Sequence, residues 1–331
     1  MKKEKVSVFY ASDENYVPFL GVSISSLALG RDRSREYSVT VLENGIRAGS
    51  REKLVSLSEP GFEVKTVDIS ERIRSIAPRL PLRDYYSLAI YYRLFIPEAF
   101  PELSRAVYLD ADTVVLGDVG ELYDTRLYGN LAGAVPDAVI ASRTCWRRYA
   151  EDYVGLDSYL LYFNSGVMLM DLEGMRRGDI CGSFVSMLRR YGFETICPDQ
   201  DYLNVLLSGR VRYLSPAWNR MACDTSRCPS PAILHFNNFS KPWLFDGVGY
   251  SDCFWHFCDA SPFADVIRGI KENAGPEALE KAKEGERRLI ATTERLNESE
   301  KSFRKMLCER NSGVFAGGRV TEVETAKRTR A

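Results

Sequence analysis

Strand-like and helix-like segments alternate along this chain from residue 1 to about residue 260, and no other pattern in the sequence restricts the fold as much. The strand-like segments are short and rich in β-branched and aromatic residues. This alternation is typical of α/β proteins with a largely parallel sheet. The chain has 331 residues and is 45% hydrophobic, so it can bury a sizeable core as one large domain or two ordinary ones.

The hydrophobic periodicity predicts the positions of the individual elements. The first strand is predicted at Val6–Tyr10 and the first helix at Asn15–Leu29, and Pro97 is expected to stop the helix that precedes it. Further strands are predicted at Tyr37–Glu43, Phe62–Asp68, Ala106–Leu109, Leu131–Val135 and Gly166–Leu172, and further helices at Ser87–Phe95, Gly174–Tyr191 and Asp201–Leu207.

One predicted strand, Ala106–Leu109, leads directly into two carboxylates that are separated by one residue, Asp110 and Asp112. In an extended backbone the side chains at i and i+2 project from the same face. The pair is therefore predicted to reach one hard divalent cation, at the end of a strand where α/β sheets bind ligands. The motif is weak by itself, because a second Asp-x-Asp occurs at Asp199 and Asp201 and a solvated strand end explains an isolated pair better.

The charge and the N-terminus of the chain argue against several classes of protein. With 44 basic and 45 acidic residues the formal net charge is −1, so we expect no nucleic-acid partner held by general electrostatic attraction. The N-terminus leads into Val6–Tyr10 without the apolar stretch of a signal peptide, and no run of 18 apolar residues is present. The expected compartment is the cytoplasm.

The eight cysteines lack the spacing of a zinc site. The nearest pairs, Cys223 with Cys228 and Cys253 with Cys258, are five residues apart and have no histidines in the usual arrangement. We expect reduced, mostly buried thiols.

A change of composition near residue 265 predicts three units: a main domain at 1–264, a charged helical extension at 265–310 and a disordered tail at 311–331. Between 271 and 310, 19 of 40 residues are charged. A single apolar column makes a thin stripe, so the extension is expected to pack on the main domain or to pair weakly with a second copy. The weakly basic tail gives at most a peripheral membrane contact. The column consists of Ala282, Leu289, Leu296 and Phe303.

Polar residues near two other predicted elements are candidate ligand contacts. Between the first strand and the first helix, Asp13, Asn15 and Tyr16 could read a nucleotide, although Asp13 and Asn15 are also typical helix-capping residues. Arg93 is the one charged residue of the aromatic segment Tyr91–Phe95. Its guanidinium is predicted either to extend to solvent or to face a phosphate.

Three later segments add further candidates. Asn164 precedes an apolar strand, where a turn is the simpler explanation. Asp199 and Gln200 open a helix, where an acid is also expected because of the helix dipole. His235 ends a short apolar strand, a place where histidine is usually structural, and Lys241 could neutralise a phosphate.

Taken in this order, the five segments resemble glycosyltransferase family 8, retaining nucleotide-sugar transferases with the GT-A fold. The likeness is greatest to bacterial enzymes that add α-linked glucose or galactose to lipopolysaccharide cores, and it extends over roughly residues 5–245. It implies an α/β GT-A catalytic domain at 1–264, with a mixed, mostly parallel sheet flanked by helices. It also implies metal-dependent transfer of a hexose from a UDP-sugar to a hydroxyl of a glycan or glycolipid, in the cytoplasm or at the inner membrane face.

The resemblance assigns residues to the nucleotide and the metal. Asp13 and Asn15 match the residues that contact uracil, and Tyr16 matches the aromatic ring that stacks on it. Arg93 matches an arginine near the nucleotide-sugar. The acidic pair and the histidine of the family's metal site match Asp110 and Asp112, with Ala111 between them in the donor site, and His235.

The resemblance also assigns residues to the sugar and the diphosphate. Asn164, Asp199 and Gln200 match residues that line the donor sugar, with Gln200 near the anomeric carbon, and they are the catalytic candidates. Lys241 matches the lysine on the diphosphate. Asn238 stands where the family usually has a glycine that lets the backbone approach the diphosphate, and asparagine tolerates a left-handed conformation better than most other residues.

The chemistry expected of such a site follows from these residue types. Negative charge develops on the β-phosphate as UDP leaves, and a divalent ion together with Lys241 would stabilise it. Two carboxylates and an imidazole shift the preference from Mg²⁺ toward Mn²⁺. No residue of these segments is a clearly placed nucleophile, and Gln200 is a poor one. Front-face transfer with retention is therefore expected.

Two other functions compete with this interpretation. A metal-dependent nucleotidyltransferase would need a Gly-rich, basic phosphate loop after the first strand, where this chain has Ser-Asp-Glu-Asn. A non-catalytic nucleotide-sugar-binding or scaffold protein would not need the complete set of ligands. Residues 137–162 are expected to form either a lid or acceptor wall, or a plain connection.

Overall fold

The computed structural model describes residues 5–80 and 87–311, and ten strands lie within them. Seven of these strands form one sheet and three short ones form a second. The strands are β1 (Val6–Asp13), β2 (Tyr37–Asn44), β3 (Phe62–Asp68), β4 (Arg105–Leu109), β5 (Thr113–Val115), β6 (Ala132–Pro136), β7 (Phe163–Asp171), β8 (Val211–Tyr213), β9 (Arg220–Met221) and β10 (Ile233–His235).

The large sheet is mixed and has the strand order β3-β2-β1-β4-β7-β6-β8. Four of its six neighbouring pairs are parallel, and β7 runs antiparallel to both of its neighbours, β4 and β6. The small sheet has the order β5-β10-β9. The prediction of a mixed, mostly parallel sheet is confirmed.

Helices flank the sheet, and within the described ranges none combines the length and the apolar character needed to cross a bilayer. Short 3₁₀ segments lie at Leu88–Phe95 and Pro216–Asn219, and a π-helix lies at Tyr149–Val154. The α-helices are α1 (Val17–Gly30), α2 (Ala48–Val55), α3 (Ser70–Ile73), α4 (Ile96–Ala99), α5 (Val119–Tyr123), α6 (Ala138–Ser142), α7 (Thr144–Arg148), α8 (Leu172–Arg177), α9 (Ile180–Arg190), α10 (Pro198–Leu206), α11 (Ser251–Asp259), α12 (Ala264–Glu272), α13 (Pro276–Asn297) and α14 (Phe303–Asn311).

The core lies on both faces of the large sheet. All residues from Val6 to Tyr10 of β1 are buried. Phe9 belongs to one hydrophobic cluster, and Val8 and Tyr10 belong to another, because successive side chains of a strand point to opposite faces. Burial on both faces explains why this strand is a continuous apolar run and does not alternate.

The antiparallel strand β7 corrects one prediction and positions part of the site. The sequence predicted a turn at Asn164 and a strand from Gly166, but the strand begins at Phe163. Its pairing with β6 shifts register between Ala134 and Val135. Because β7 runs against β4, its first residues lie beside the carboxyl end of β4, where the Asp110 N–H donates to the Gly166 carbonyl over 2.7 Å.

Two predicted helices differ from the structure. Pro97 does not stop the aromatic helix: it lies in the first turn of α4, where its missing N–H is not needed. The single helix predicted at Gly174–Tyr191 is divided into α8 and α9. The division falls at Gly178 and Asp179, and the Asp179 carboxylate caps α9 by accepting from the Gly182 N–H.

The cysteines are free, as expected, but most are not buried. Only Cys181 and Cys258 of the eight are buried, and Cys223 and Cys308 are exposed. The expectation of mostly buried thiols is therefore wrong.

The residues after 264 form helices that pack on the rest of the chain. Leu296, Phe303 and Met306 are buried in the same cluster as residues of α9 and α10. The ring of Phe303 contacts Tyr202 of α10 edge to face at 5.1 Å. The apolar stripe thus packs within the chain, while the separation of a domain at 264 stays a prediction. The predicted tail at 311–331 lies, apart from residue 311, outside the described residues.

We expect Phe303→Ala to destabilise the protein by about 3–5 kcal/mol, since it removes a fully buried ring from a core that cannot refill the cavity. Urea unfolding measures the change in the free energy of unfolding. Leu279→Ala in α13, whose side chain is 46% exposed, is the matched control and should change it little. Equal stability of the two variants would contradict the assigned packing.

Candidate active site

A cleft of about 890 Å³ lies at the carboxyl ends of β1 and β4 and at the beginning of β7. Ligands bind at this edge of α/β sheets because the loops that follow the strands diverge there. Twelve of the thirteen predicted site residues line the cleft, and the exception is Asn15, which is exposed. The twelve are Asp13, Tyr16, Arg93, Asp110, Ala111, Asp112, Asn164, Asp199, Gln200, His235, Asn238 and Lys241.

The acidic pair does not lie on an extended strand. Asp110 follows β4, and Ala111 and Asp112 form a tight turn into β5, which belongs to the other sheet. The turn is held by the Thr113 hydroxyl, which donates to the Asp110 carbonyl over 2.8 Å. The predicted i, i+2 geometry is therefore wrong, and the carboxylates converge because the chain turns between two sheets.

The two carboxylates and His235 can hold one metal ion. One ligand atom from each of Asp110, Asp112 and His235 lies within 4.8 Å of the other two. The imidazole Nε2 lies 3.2 Å from Oδ1 of Asp112 and 3.7 Å from Oδ2 of Asp110. A set of two carboxylates and one imidazole suits a divalent ion such as Mn²⁺.

Gly166 leaves the space in which these ligands converge. A Cβ atom at this position would lie 2.3 Å from Cε1 of His235 and 2.5 Å from Oδ2 of Asp110. Neither group can withdraw easily, because His235 is 2% exposed and the Asp110 carboxylate is bound to Arg93. The glycine therefore fits the requirements of a metal site.

We expect Gly166→Ala to weaken Mn²⁺ binding at least about tenfold, or ~1.4 kcal/mol, because the methyl group separates the imidazole from the Asp110 carboxylate. Calorimetric titration with Mn²⁺ in the presence of UDP measures the affinity. Gly49→Ala in α2, where nothing lies within 4 Å of the added methyl, is the control. Wild-type affinity in the Gly166 variant would contradict the assigned site.

Lys241 compensates the charge of Asp112. Its Nζ donates to Oδ2 of Asp112 over 2.5 Å and to the Phe236 carbonyl over 2.7 Å. Burial alone would raise the pKa of Asp112, but Lys241 and His235 hold it below its usual value. Asp112 is therefore ionised at neutral pH, as a metal ligand must be.

Arg93 is buried, so the alternative in which its guanidinium extends to solvent is wrong. The side chain is 3% exposed and its guanidinium lies 2.7 Å from Asp110 and 3.0 Å from Asp199. It also donates to the Ser165 carbonyl over 2.6 Å and lies 4.2 Å above the Tyr108 ring. Burial opposes its charge, but the two carboxylates raise the pKa of Arg93 above its ordinary value.

Asp13 and Tyr16, two of the residues assigned to the base, also line the cleft. The Asp13 carboxylate accepts from the N–H groups of Asn15 and Tyr16 over 3.0 and 3.2 Å, so it holds the turn before α1. It does not cap the helix itself, whose N-cap residue is Tyr16 and which has no side-chain cap. The ring of Tyr16 lines the cleft beside Lys241, whose Nζ lies 5.7 Å from the ring centre. Uracil recognition by these residues stays a prediction.

Two of the three catalytic candidates, Asn164 and Gln200, meet at a carboxylate that was not predicted as a site residue, Asp137. Its Oδ2 accepts from the amides of Asn164 and Gln200 over 2.9 and 3.0 Å. Asp199 and Gln200 lie in the first turn of α10. Asp137 directly follows β6. Its place after a predicted strand is the feature of the sequence by which it could have been identified as a site residue.

A second residue missed by the sequence is Asn219, which contacts both Asn164 and His235. It ends the 3₁₀ segment Pro216–Asn219, where the sequence has no pattern that could have identified it. Asn238, in contrast, behaves as expected, because its φ of +49° is left-handed.

Comparison with known proteins places the chain in a family. The model of the family "Glycosyl transferase family 8" matches residues 7–247. General stress protein A of Bacillus subtilis is 26% identical over 279 residues, which cover 77% of this chain and 94% of that protein. The lipopolysaccharide 1,2-glucosyltransferase of Escherichia coli K12 is 28% identical over 262 residues, which cover 72% and 73% of the two chains.

A solved structure shows the same fold. The galactosyltransferase LgtC, in complex with donor and acceptor sugar analogues, superposes with a TM-score of 0.62 at 24% identity, over 78% of this chain and 96% of LgtC. LgtC has the GT-A fold, in agreement with the sheet described above. Since the family model covers the sheet and the cleft, this chain belongs to glycosyltransferase family 8.

Proposed function

We propose that this protein is a metal-dependent, retaining transferase that moves a hexose, glucose or galactose, from a UDP-sugar to a hydroxyl of a glycan or glycolipid such as a lipopolysaccharide core. The observation that carries the proposal is one cleft in which Asp110, Asp112 and His235 could hold a cation and which the buried polar side chains of Asn164 and Gln200 also line. The similarity to a lipopolysaccharide glucosyltransferase supports the choice of donor and acceptor class.

Several residues of the cleft would stabilise the leaving diphosphate. Asp110, Asp112 and His235 would hold the ion, which when bound supplies positive charge to the leaving diphosphate. Lys241 adds a second positive charge at the same end, where Asn238 turns the backbone toward the cleft. Together these groups stabilise the charge that develops as UDP departs.

The buried carboxylates near Gln200 are poor nucleophiles, which supports front-face transfer. Asp137 accepts four hydrogen bonds: Oδ1 from the N–H groups of Val139 and Ile140, and Oδ2 from the amides of Asn164 and Gln200. Asp199 is paired with Arg93 and accepts from the Ser165 hydroxyl. A carboxylate whose lone pairs accept hydrogen bonds attacks the anomeric carbon slowly, so double displacement is disfavoured. In front-face transfer the leaving phosphate takes the proton of the acceptor hydroxyl.

The two competing functions are less well supported. The family match favours a glycosyltransferase over a nucleotidyltransferase. The intact set of charged groups in the cleft, including the buried Arg93 with its two carboxylates, favours an enzyme over a scaffold, because buried unused charges would cost stability.

Incubation with a panel of UDP-sugars and Mn²⁺ tests the proposal. Release of UDP from UDP-glucose or UDP-galactose, with an α-linked product in the NMR spectrum, is the expected result. Release of pyrophosphate would indicate a nucleotidyltransferase, and binding without turnover would indicate a scaffold. A β-linked product would exclude retention.

We expect the base end of the cleft to select uridine, because Asp13 and Tyr16 present a carboxylate and a ring there. With Mn²⁺ present, calorimetry should show GDP and ADP binding at least about tenfold more weakly than UDP, a difference of ~1.4 kcal/mol. Equal affinity for the three nucleotides would remove the assignment of the base site.

A further inference from the structure

A chain of buried polar side chains connects the imidazole of the metal site with Gln200. Nδ1 of His235 lies 3.0 Å from Oδ1 of Asn219, and Nδ2 of Asn219 donates to Oδ1 of Asn164 over 2.9 Å. Asn164 and Gln200 in turn both donate to Asp137. His235, Asn219 and Asn164 are each at most 5% exposed, so bulk water does not compete for these hydrogen bonds.

The orientation of each amide in the chain is fixed by groups that can only donate or only accept. The Gly166 N–H, which can only donate, bonds to Asn164 Oδ1 over 2.9 Å, so the oxygen must be on that side. The opposite side of the same amide donates to the Asp137 carboxylate, which can only accept. Asn219 must therefore present its NH₂ group to Asn164 and its oxygen to His235.

The orientation of the Asn219 amide determines which ring nitrogen of His235 carries a proton. An amide oxygen at 3.0 Å requires that Nδ1 of His235 carries a proton. The lone pair of a neutral ring then lies on Nε2, the nitrogen that faces Asp110 and Asp112. Ligand histidines are generally oriented in this way by a hydrogen bond to the nitrogen that does not bind the metal.

We infer that Asn219 is the positioning residue of the metal site: it holds the Nδ1–H tautomer of His235 and so directs the Nε2 lone pair toward the cation. This inference rests on the proposed metal-dependent function. Asn219 does not itself line the cleft, but it contacts His235 and Asn164, which do, and it acts through His235 at the metal end of the chain.

NMR of protein with ¹⁵N-labelled histidine tests the tautomer directly. The chain has two histidines, His235 and the exposed His256, so His256→Gln assigns both rings. In the metal-free protein at alkaline pH, we expect a proton on Nδ1 of His235, because no ion on Nε2 then fixes the tautomer. A ring with unprotonated Nδ1 would overturn the inference.

Two substitutions separate the acceptor function from simple packing, with Mn²⁺ affinity in the presence of UDP as the readout. Asn219→Leu removes the acceptor and should weaken Mn²⁺ binding about 10–100-fold. Asn219→Asp keeps an acceptor for Nδ1 but cannot donate to Asn164, and it should keep most of the affinity. Asn219→Ser replaces the leucine variant if that variant does not fold. Asn297→Leu, which removes an amide hydrogen bond to the Cys145 carbonyl far from the cleft, is the control.

The outcomes are distinguishable. Unchanged affinity in Asn219→Leu, or an equal loss in Asn219→Leu and Asn219→Asp, would overturn the role of the acceptor. Failure of the wild-type protein to bind Mn²⁺ would instead overturn the metal dependence of the proposed function, and the tautomer measurement would still decide the hydrogen-bond assignment.

Discussion

Asp112→Asn is expected to lower the turnover of UDP-sugar at least a hundredfold in Mn²⁺, which corresponds to about 2.7 kcal/mol of lost transition-state stabilisation. Asp112 lies at the centre of the site, within 3.2 Å of Nε2 of His235 and 2.5 Å of Nζ of Lys241. Removing its charge weakens the cation site and changes the partner of Lys241. The fold should persist, because the side chain lies in a turn and an amide can still accept from Lys241.

The measurement is UDP release at saturating donor, with Mn²⁺ affinity determined on the same samples. Asp124→Asn is the matched control, because Asp124 also pairs with a buried basic residue, Arg35, but lies outside the cleft lining. Asp110→Asn and His235→Ala should behave as Asp112→Asn does. Near-normal turnover of Asp112→Asn in Mn²⁺ would show that the cation site is wrongly assigned.

Arg93→Met should lower the free energy of unfolding by about 3–5 kcal/mol, because it leaves the carboxylates of Asp110 and Asp199 without their buried partner. The loss is large because Asp199 is 6% exposed and cannot recover water. The guanidinium also donates to the Ser165 carbonyl and so holds Ser165 beside the two carboxylates in the cleft. Turnover of the donor should therefore fall together with stability.

Urea unfolding and UDP release on the same samples test this expectation. Arg35→Met is the matched control, since Arg35 is buried but its partner Asp124 is 55% exposed and can be solvated when the arginine is lost. We therefore expect a smaller loss of stability in Arg35→Met and little change in the rate of UDP release. If Arg93→Met were as stable as the wild-type protein, the buried ion pairs would not contribute as described.

The sequence determined the elements and much of the cleft lining through local properties. Phe62–Asp68 was predicted with the observed bounds. Asp110 and Asp112 were identified because carboxylates at the end of an apolar strand lie at the ligand-binding edge of an α/β sheet, whatever the details of the turn, and His235 was added by the family resemblance. The family resemblance also supplied Asp199 and Gln200, which open α10.

The tertiary structure decided what depends on contacts between distant segments. The direction of β7 brings Asn164 and Gly166 to the metal site, and hydrophobic periodicity does not encode strand direction. The packing of Phe303 against Tyr202 closes over about 100 residues of chain, so a thin apolar stripe could not reveal its partner. Asn219 acquires its place through hydrogen bonds to two distant side chains, because a buried amide must satisfy both its donor and its acceptor wherever the fold supplies partners.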